Sequence, residues 1–207
     1  MKPFVCLLLA LLTGLPGRAQ SPDTAYQAQI GRHRSHYKQE FLTEPRSPLH
    51  AQDTALLDFF APDPAWRCKA HVERTPEAQP FDMPTYSGRK KQFVQYGFVH
   101  FRADGQAHTL AIYQNLGLMA QEEYKDHLFL PFKDHTNGDS TYGGGRYLDF
   151  KIGDIADEGA LDLDFNKAYN PWCAFSDGFN CPVPPAVNHL ELAVLAGEKN
   201  FRGEKKH

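Results

Sequence analysis

The sequence predicts a mainly β (α+β) fold: a single small β-barrel or sandwich with N-terminal helices packed on one side. Three observations carry this. Only the first part of the chain has a helical repeat, at Tyr26, Ile30, His33, Tyr37 and Phe41. From Trp66 onward, short segments alternate apolar and polar residues with a period of two. No strand–helix alternation supports a doubly wound sheet.

The N-terminus, MKPFVCLLLALLTGLPGRAQ, reads as a signal peptide over residues 1–19. Lys2 gives the positive start, Phe4 to Leu15 the apolar run, and Gly17 and Ala19 the small residues of a cleavage site. The run is short for a membrane helix, which needs roughly 20 apolar residues. Cys6 precedes most of the run, which argues against lipidation. Residues 20–207 then form one secreted or periplasmic globular domain with no stable membrane anchor.

Ser21-Pro22-Asp23 is a helix start: a capping side chain, a first-turn proline and an acid facing the helix dipole. The helix runs to Thr43, and Pro45 and Pro48 stop it. His33 lies on the apolar stripe and reads as a packing residue. A second short helix is expected over 52–60, with Leu56, Leu57, Phe59 and Phe60 buried. In WRCKAHVER, Trp66, Cys68, Ala70 and Val72 share one face, so Cys68 reads as a buried free thiol. QFVQYGFVHFRADGQAHTLAIYQ is a hairpin turning at Asp104-Gly105, a type I′ signature. HLFLPF, GRYLDFKI, ALDLDFN and HLELAVLAG are the remaining expected strands.

Composition narrows the function. Apolar residues make up 42% and charged residues 23%, as in an ordinary folded domain, and net charge is −3. With a slightly negative net charge and no long basic run, nucleic acid is a poor partner. No GxGxxG or phosphate-loop motif is present, and no cofactor is expected.

Polar residues gather in two loops. The first, PFKDHTNGDSTYGGGRYLDF, offers Asp134, His135, Thr136, Tyr142, Gly143, Gly144, Gly145, Arg146 and Asp149. Arg146 and the glycine amides suit an anion; equally, Arg146 suits an internal acid such as Asp149 or Asp164. The DHTNGD run lacks EF-hand spacing. The second loop follows Asp164 and carries Asn166, Tyr169, Asn170 and Asn188, residues able to satisfy irregular backbone. It also holds Cys173 and Cys181. Export favours a disulfide between them, worth on the order of 2.5 kcal/mol in the chain-entropy model. Zinc ligation completed by His135 and His189, a catalytic thiol with His135 or His189 as base, and two reduced buried thiols stay open as alternatives; no metal is assigned.

LPFKDHTNGDSTYGGGRYLDF, LDFNKAYNPWCAFSDGFNCPVPP and LAGEKNF resemble the family catalogued as domain of unknown function 1684, from about Gln29 to the C-terminus. Phe132, Asp134, Thr136, Gly138, Thr141 to Tyr147, Asp149, Asp164 to Asn166, Tyr169 to Pro171, Cys173, Cys181, Pro182 and Asn188 carry the resemblance. It implies a bacterial, often exported protein and brings no activity. The family pattern puts an acid before that asparagine and a base after it. This chain has Val187 and His189 there.

The expectation is a pocket between the two loops that binds a small polar or anionic molecule. Arg146 holds charge, Tyr142 and Tyr169 form walls, and Asp134, Thr136, Asn166 and Asn170 hydrogen-bond. The rival readings are a hydrolase using Asp134, Asp149 or Asp164 as general acid or base with His135 assisting, a flavin-binding small barrel without a flavin signature in the sequence, and a structural envelope protein. Oligomeric state is not legible.

Overall fold

The structure, a computed structural model, describes residues 22–207. The signal-peptide expectation and the Ser21 cap lie outside the described residues. Helix α1 is Pro22–Thr43. Seven strands follow: β1 Arg67–Arg74, β2 Phe81–Pro84, β3 Lys90–Ala103, β4 Gln106–Asn115, β5 His127–Phe132, β6 Arg146–Lys151 and β7 Ala160–Asp164. They form one antiparallel sheet in the order β6-β5-β4-β3-β1-β7, with β2 beside the first half of β3. The fold is mostly β and curled as a half-barrel, with the N-terminal helix against it. No helix among the described residues is long and apolar enough to cross a membrane.

The expected stripe is the one α1 buries: Tyr26, Ile30 and Phe41 are buried, and His33 and Tyr37 partly so. Strand β1 buries Cys68, Ala70 and Val72 and exposes the residues between them. At the β3–β4 turn, Asp104 and Gly105 both have positive φ, as a type I′ turn requires.

A β-bulge between Gln95 and Gly97 shifts the register of β3 against β4. An extra residue reverses which face the following side chains take. Phe93 therefore joins Met83, Tyr113, Phe129 and Tyr147 on one face, while Val99, Phe101 and Ala103 join the larger core on the other. A third apolar cluster, Phe41, Leu49, Leu57 and Phe175, fixes the end of α1.

Two expected elements are corrected. The 52–60 helix is only a 3-10 turn at Asp53–Leu56; Leu57 is buried, Leu56 is exposed, and Phe59 and Phe60 are half-buried. HLELAVLAG is not a strand. Its alternation buries Leu190, Val194 and Ala196, but carbonyls of the segment turn onto a buried guanidinium instead of a neighbouring strand. Strand β2, FDMP, was not expected: four residues ending in proline are too few for a periodic signal.

Candidate functional site

The glycine-arginine loop closes on itself. Gly145 has a φ of +89°, and a Cβ there would lie 2.6 Å from the Phe132 carbonyl oxygen, so the chain turns tightly into β6. This directs Arg146 inward, where it is 0% exposed. Its guanidinium donates to Asp134 Oδ2 at 2.8 Å, to the Val194 carbonyl at 2.9 Å, to the Glu198 carbonyl at 3.3 Å and to the Ala196 carbonyl. Asp134 Oδ1 in turn accepts from the Thr136 amide at 2.9 Å and hydroxyl at 2.5 Å and from the Val194 amide at 3.2 Å. Burial pushes Arg146 below its ordinary value and Asp134 opposes the shift. The expectation that Arg146 holds an external anion is therefore corrected: its partner is Asp134, and no face of it meets solvent.

The asparagines bond internally too, apart from Asn170 Oδ1, which has no partner among the described residues. Asn166 exchanges two hydrogen bonds with the Asp63 backbone, at 2.9 and 2.8 Å. Asn170 donates its amide to Glu198 Oε2 at 2.8 Å and its side chain to the Lys199 carbonyl at 2.8 Å. Asn188 takes the Ala111 amide and returns hydrogen bonds to the Ala111 and Pro131 carbonyls, standing in as a peptide group between β4 and β5. Tyr142 donates to the Cys173 carbonyl at 3.4 Å. His135 is exposed beside Glu191. None of these residues lines any of the four main hollows, which lie away from the space between the two loops.

The hollows lie between α1, the β5–β6 edge and the cysteine loop. The first, about 510 Å³, is lined by residues that include His33, Tyr37, Glu40, Asp149, Asp164 and Tyr169. A second of about 460 Å³ shares Tyr37, Glu40 and Asp149. A third of about 530 Å³ shares Asp149 and Tyr169 with the first and Asp149 and Trp172 with the second, and adds His127, Lys91 and Arg46. Shared walls make them one trench, with Asp149 common to all three. Of the residues expected from sequence, the trench brings together Asp149, Asp164 and Tyr169. It leaves Asp134, His135, Thr136, Tyr142, Arg146, Asn166 and Asn170 elsewhere.

Strand pairing positions the trench floor. Phe129 and Asp149 are partners across β5 and β6, so His127 lies diagonally from Asp149 on the same face. Reciprocal backbone bonds of 2.9 and 3.1 Å hold Tyr169 beside Tyr147. Its hydroxyl then reaches Asp149, two residues along β6. Asp149 accepts from Tyr169 at 2.5 Å and lies 3.1 Å from His127 Nε2. Burial first, and Asp149 second, hold the Tyr169 phenol well above its usual range. Glu40 is raised, mainly by burial, and His33 is lowered by burial and then by Lys167.

Behind this wall Glu198 is 0% exposed. Burial raises it to about 8, against the hydrogen bonds from Asn170 and Tyr37 and the charge of Arg146. Its Oε2 accepts from the Tyr37 hydroxyl at 2.9 Å, while Oε1 has no partner among the described residues. Asp164 pins the other end of α1 by accepting from Tyr26 at 2.9 Å, so it is a structural anchor as well as a wall.

Cys173 and Cys181 form a disulfide with Cα atoms 6.2 Å apart, inside the span such a bond needs. Cys68 is free and buried, and burial raises its thiol. The bridge fixes Trp172 and Pro182, both walls of the third hollow. Among the described residues no cluster of three or more His, Cys, Asp or Glu is arranged to hold a metal ion.

Residues 53–199 match the family described as protein of unknown function (DUF1684). The chain belongs to this family. Among solved structures, this DUF1684 chain is similar to the solution NMR structure of the uncharacterized protein from gene locus rrnAC0354 of Haloarcula marismortui. Identity is 34%, over 87% of this chain and 97% of that one, with a TM-score of 0.67. No curated protein matches the DUF1684 chain.

Sequence reasoning missed Glu40, Tyr37, His127, Lys91 and Trp172. They come from α1, β3, β5 and the cysteine loop, and no local spacing links them. Helical spacing did carry Tyr37, but as a stripe residue rather than a trench wall.

Proposed function

We propose that this domain binds a small polar molecule in the trench centred on Asp149. The observation that carries the reading is that three adjoining hollows share the Asp149 carboxylate. Concave sites with a few convergent polar groups on apolar walls are where small ligands bind, and Tyr37, Tyr169 and Trp172 supply such walls. The charged start and apolar run of the chain favour export, and an oxidising compartment preserves the disulfide that shapes one wall. The partner is a small molecule rather than nucleic acid, since acids crowd the trench beside α1.

Amide chemical-shift mapping with a fragment library tests this. Shifts clustered at Asp149, Tyr169 and Trp172 are the expected result. Fragments that perturb only residues elsewhere, or none, overturn it.

One observation favours a second reading, hydrolysis. Glu40 is raised, mainly by partial burial, in the same cleft where Asp149 accepts from Tyr169 and lies 3.1 Å from His127 Nε2, and two carboxyl groups in unlike environments suit general acid–base work. Turnover of simple ester, glycoside or phosphoester substrates, lost in Glu40→Gln, supports it. Equal turnover in wild type and Glu40→Gln removes it.

A further inference from the structure

Lys91 is the second residue of β3 and precedes the bulge, so its side chain shares the face of Phe93. Had β3 run without the bulge, that face would continue into Val99 and Phe101, which instead pack in the larger core. The register thus places a lysine on the trench wall, where it is half-buried. Its ammonium has no hydrogen-bond or ion-pair partner among the described residues.

Arg46 comes to the same place from the turn that ends α1. Its closest acid is Glu44, at 3.7 Å on the surface. The two cations line the third hollow together, and also a fourth of about 310 Å³ that adjoins it. Trp172 and Pro182, set by the disulfide, line both as well. The other end of the trench is acidic, with Glu40, Asp154, Asp162 and Asp164 outnumbering Lys167. Charge therefore changes sign along the trench, and Asp149 stands between the two ends.

We infer that the Lys91–Arg46 end is a subsite for an anionic group, a carboxylate or phosphate, borne on an aromatic body that lies against Trp172. The inference rests on the reading that the trench takes a small molecule; it adds which charge that molecule carries and where. Two neighbouring cations repel, and burial and Arg46 together push Lys91 below its ordinary value. An anion between them relieves both effects. Arg46 presents a planar fork to such an oxyanion and Lys91 a point charge. Trp172 and Phe93 give the apolar contact that a bare inorganic ion does not use.

The test uses the full chain and five probes: benzoate, phenyl phosphate, acetate, benzamide and benzylamine. Benzoate or phenyl phosphate is expected to shift the Trp172 indole and Lys91 resonances. Lys91→Met should weaken that binding about tenfold, as loss of one charge-assisted contact does, and Arg46→Gln less, because Arg46 is more exposed to screening. Neither variant should weaken benzamide or benzylamine. Whichever of the two anions binds more tightly assigns the carboxylate or the phosphate. Unchanged melting temperatures show that both variants fold. Acetate binding as well as benzoate overturns the aromatic body. Anion affinity equal in wild type and both variants overturns the subsite. If only benzamide or benzylamine perturbs the trench, the subsite falls and the trench reading stands. If no probe perturbs the trench, both fall.

Discussion

Arg146 at the start of β6 and Lys91 near the start of β3 are both cations that a strand turns away from solvent. Arg146 meets a carboxylate and three carbonyls. Lys91 meets no partner among the described residues. Desolvating a charge costs several kcal/mol, and only close, well-aligned partners offset it. The Arg146 region has those partners built in, so it holds shape and offers nothing to a ligand. The Lys91 region keeps part of its cost uncompensated, which is the mark of a surface shaped for something other than stability. Residue type alone does not distinguish the two; the supply of internal acceptors does.

The sharpest way to break this contrast is Arg146→Met. Removing one partner of a buried pair strands the other, so a loss of about 3–5 kcal/mol is expected in urea denaturation. Arg146→Lys should recover little of it, because lysine cannot serve four acceptors in one plane. A loss below about 1 kcal/mol would erase the distinction.

The pH dependence of Glu198 comes next. Its folded value is about 8 against an ordinary 4.5. Between these the folded state keeps a proton that the unfolded chain has released. Its contribution to stability is thus full below about pH 4.5, falls as pH rises, and is lost above about pH 8, with a slope of at most about 1.4 kcal/mol per pH unit. Melting curves from pH 5 to 8 should show the fall in wild type and a flatter profile in Glu198→Gln. Parallel profiles would mean that the carboxylate is charged throughout.

Cys173→Ser with Cys181→Ser should cost on the order of 2.5 kcal/mol and also weaken benzoate binding, since the bridge sets the Trp172 wall. A stability loss with unchanged binding would separate the wall from the trench. The smallest effect has the opposite sign. Lys91→Met is expected to leave stability within about 0.5 kcal/mol of wild type or slightly raise it. A clear destabilisation would place Lys91 with Arg146, as a structural charge.

Much of the scaffold was legible because its signals are local. Asp104-Gly105 announces its hairpin, and the alternation in WRCKAHVER announces β1. HLELAVLAG misled because burying Leu190, Val194 and Ala196 gives the same pattern whether the backbone bonds to a strand or to Arg146. The candidate site was legible only in Asp149, Asp164 and Tyr169. Lys91 needs the bulge at Gln95/Gly97 to be placed on the right face, and Trp172 needs the disulfide. Both are tertiary facts. The loop motif was visible, but most of its polar groups bond to one another or to nearby backbone, with only single atoms such as Arg146 Nε and Asn170 Oδ1 left without a partner among the described residues.

The carbonyls that surround Arg146 belong to Val194, Ala196 and Glu198, downstream of all seven strands. A growing chain can form the β3–β4 hairpin and pair β5 with β6 long before these groups exist. Until they arrive, the guanidinium has Asp134 but not its cage, and β6 cannot bury its first residue. Closure of the cage therefore waits until residues 194–198 have been made, as expected where the decisive contacts are distant in sequence. A chain halted at Leu190 would contain every strand and still be left with an open, charged seam.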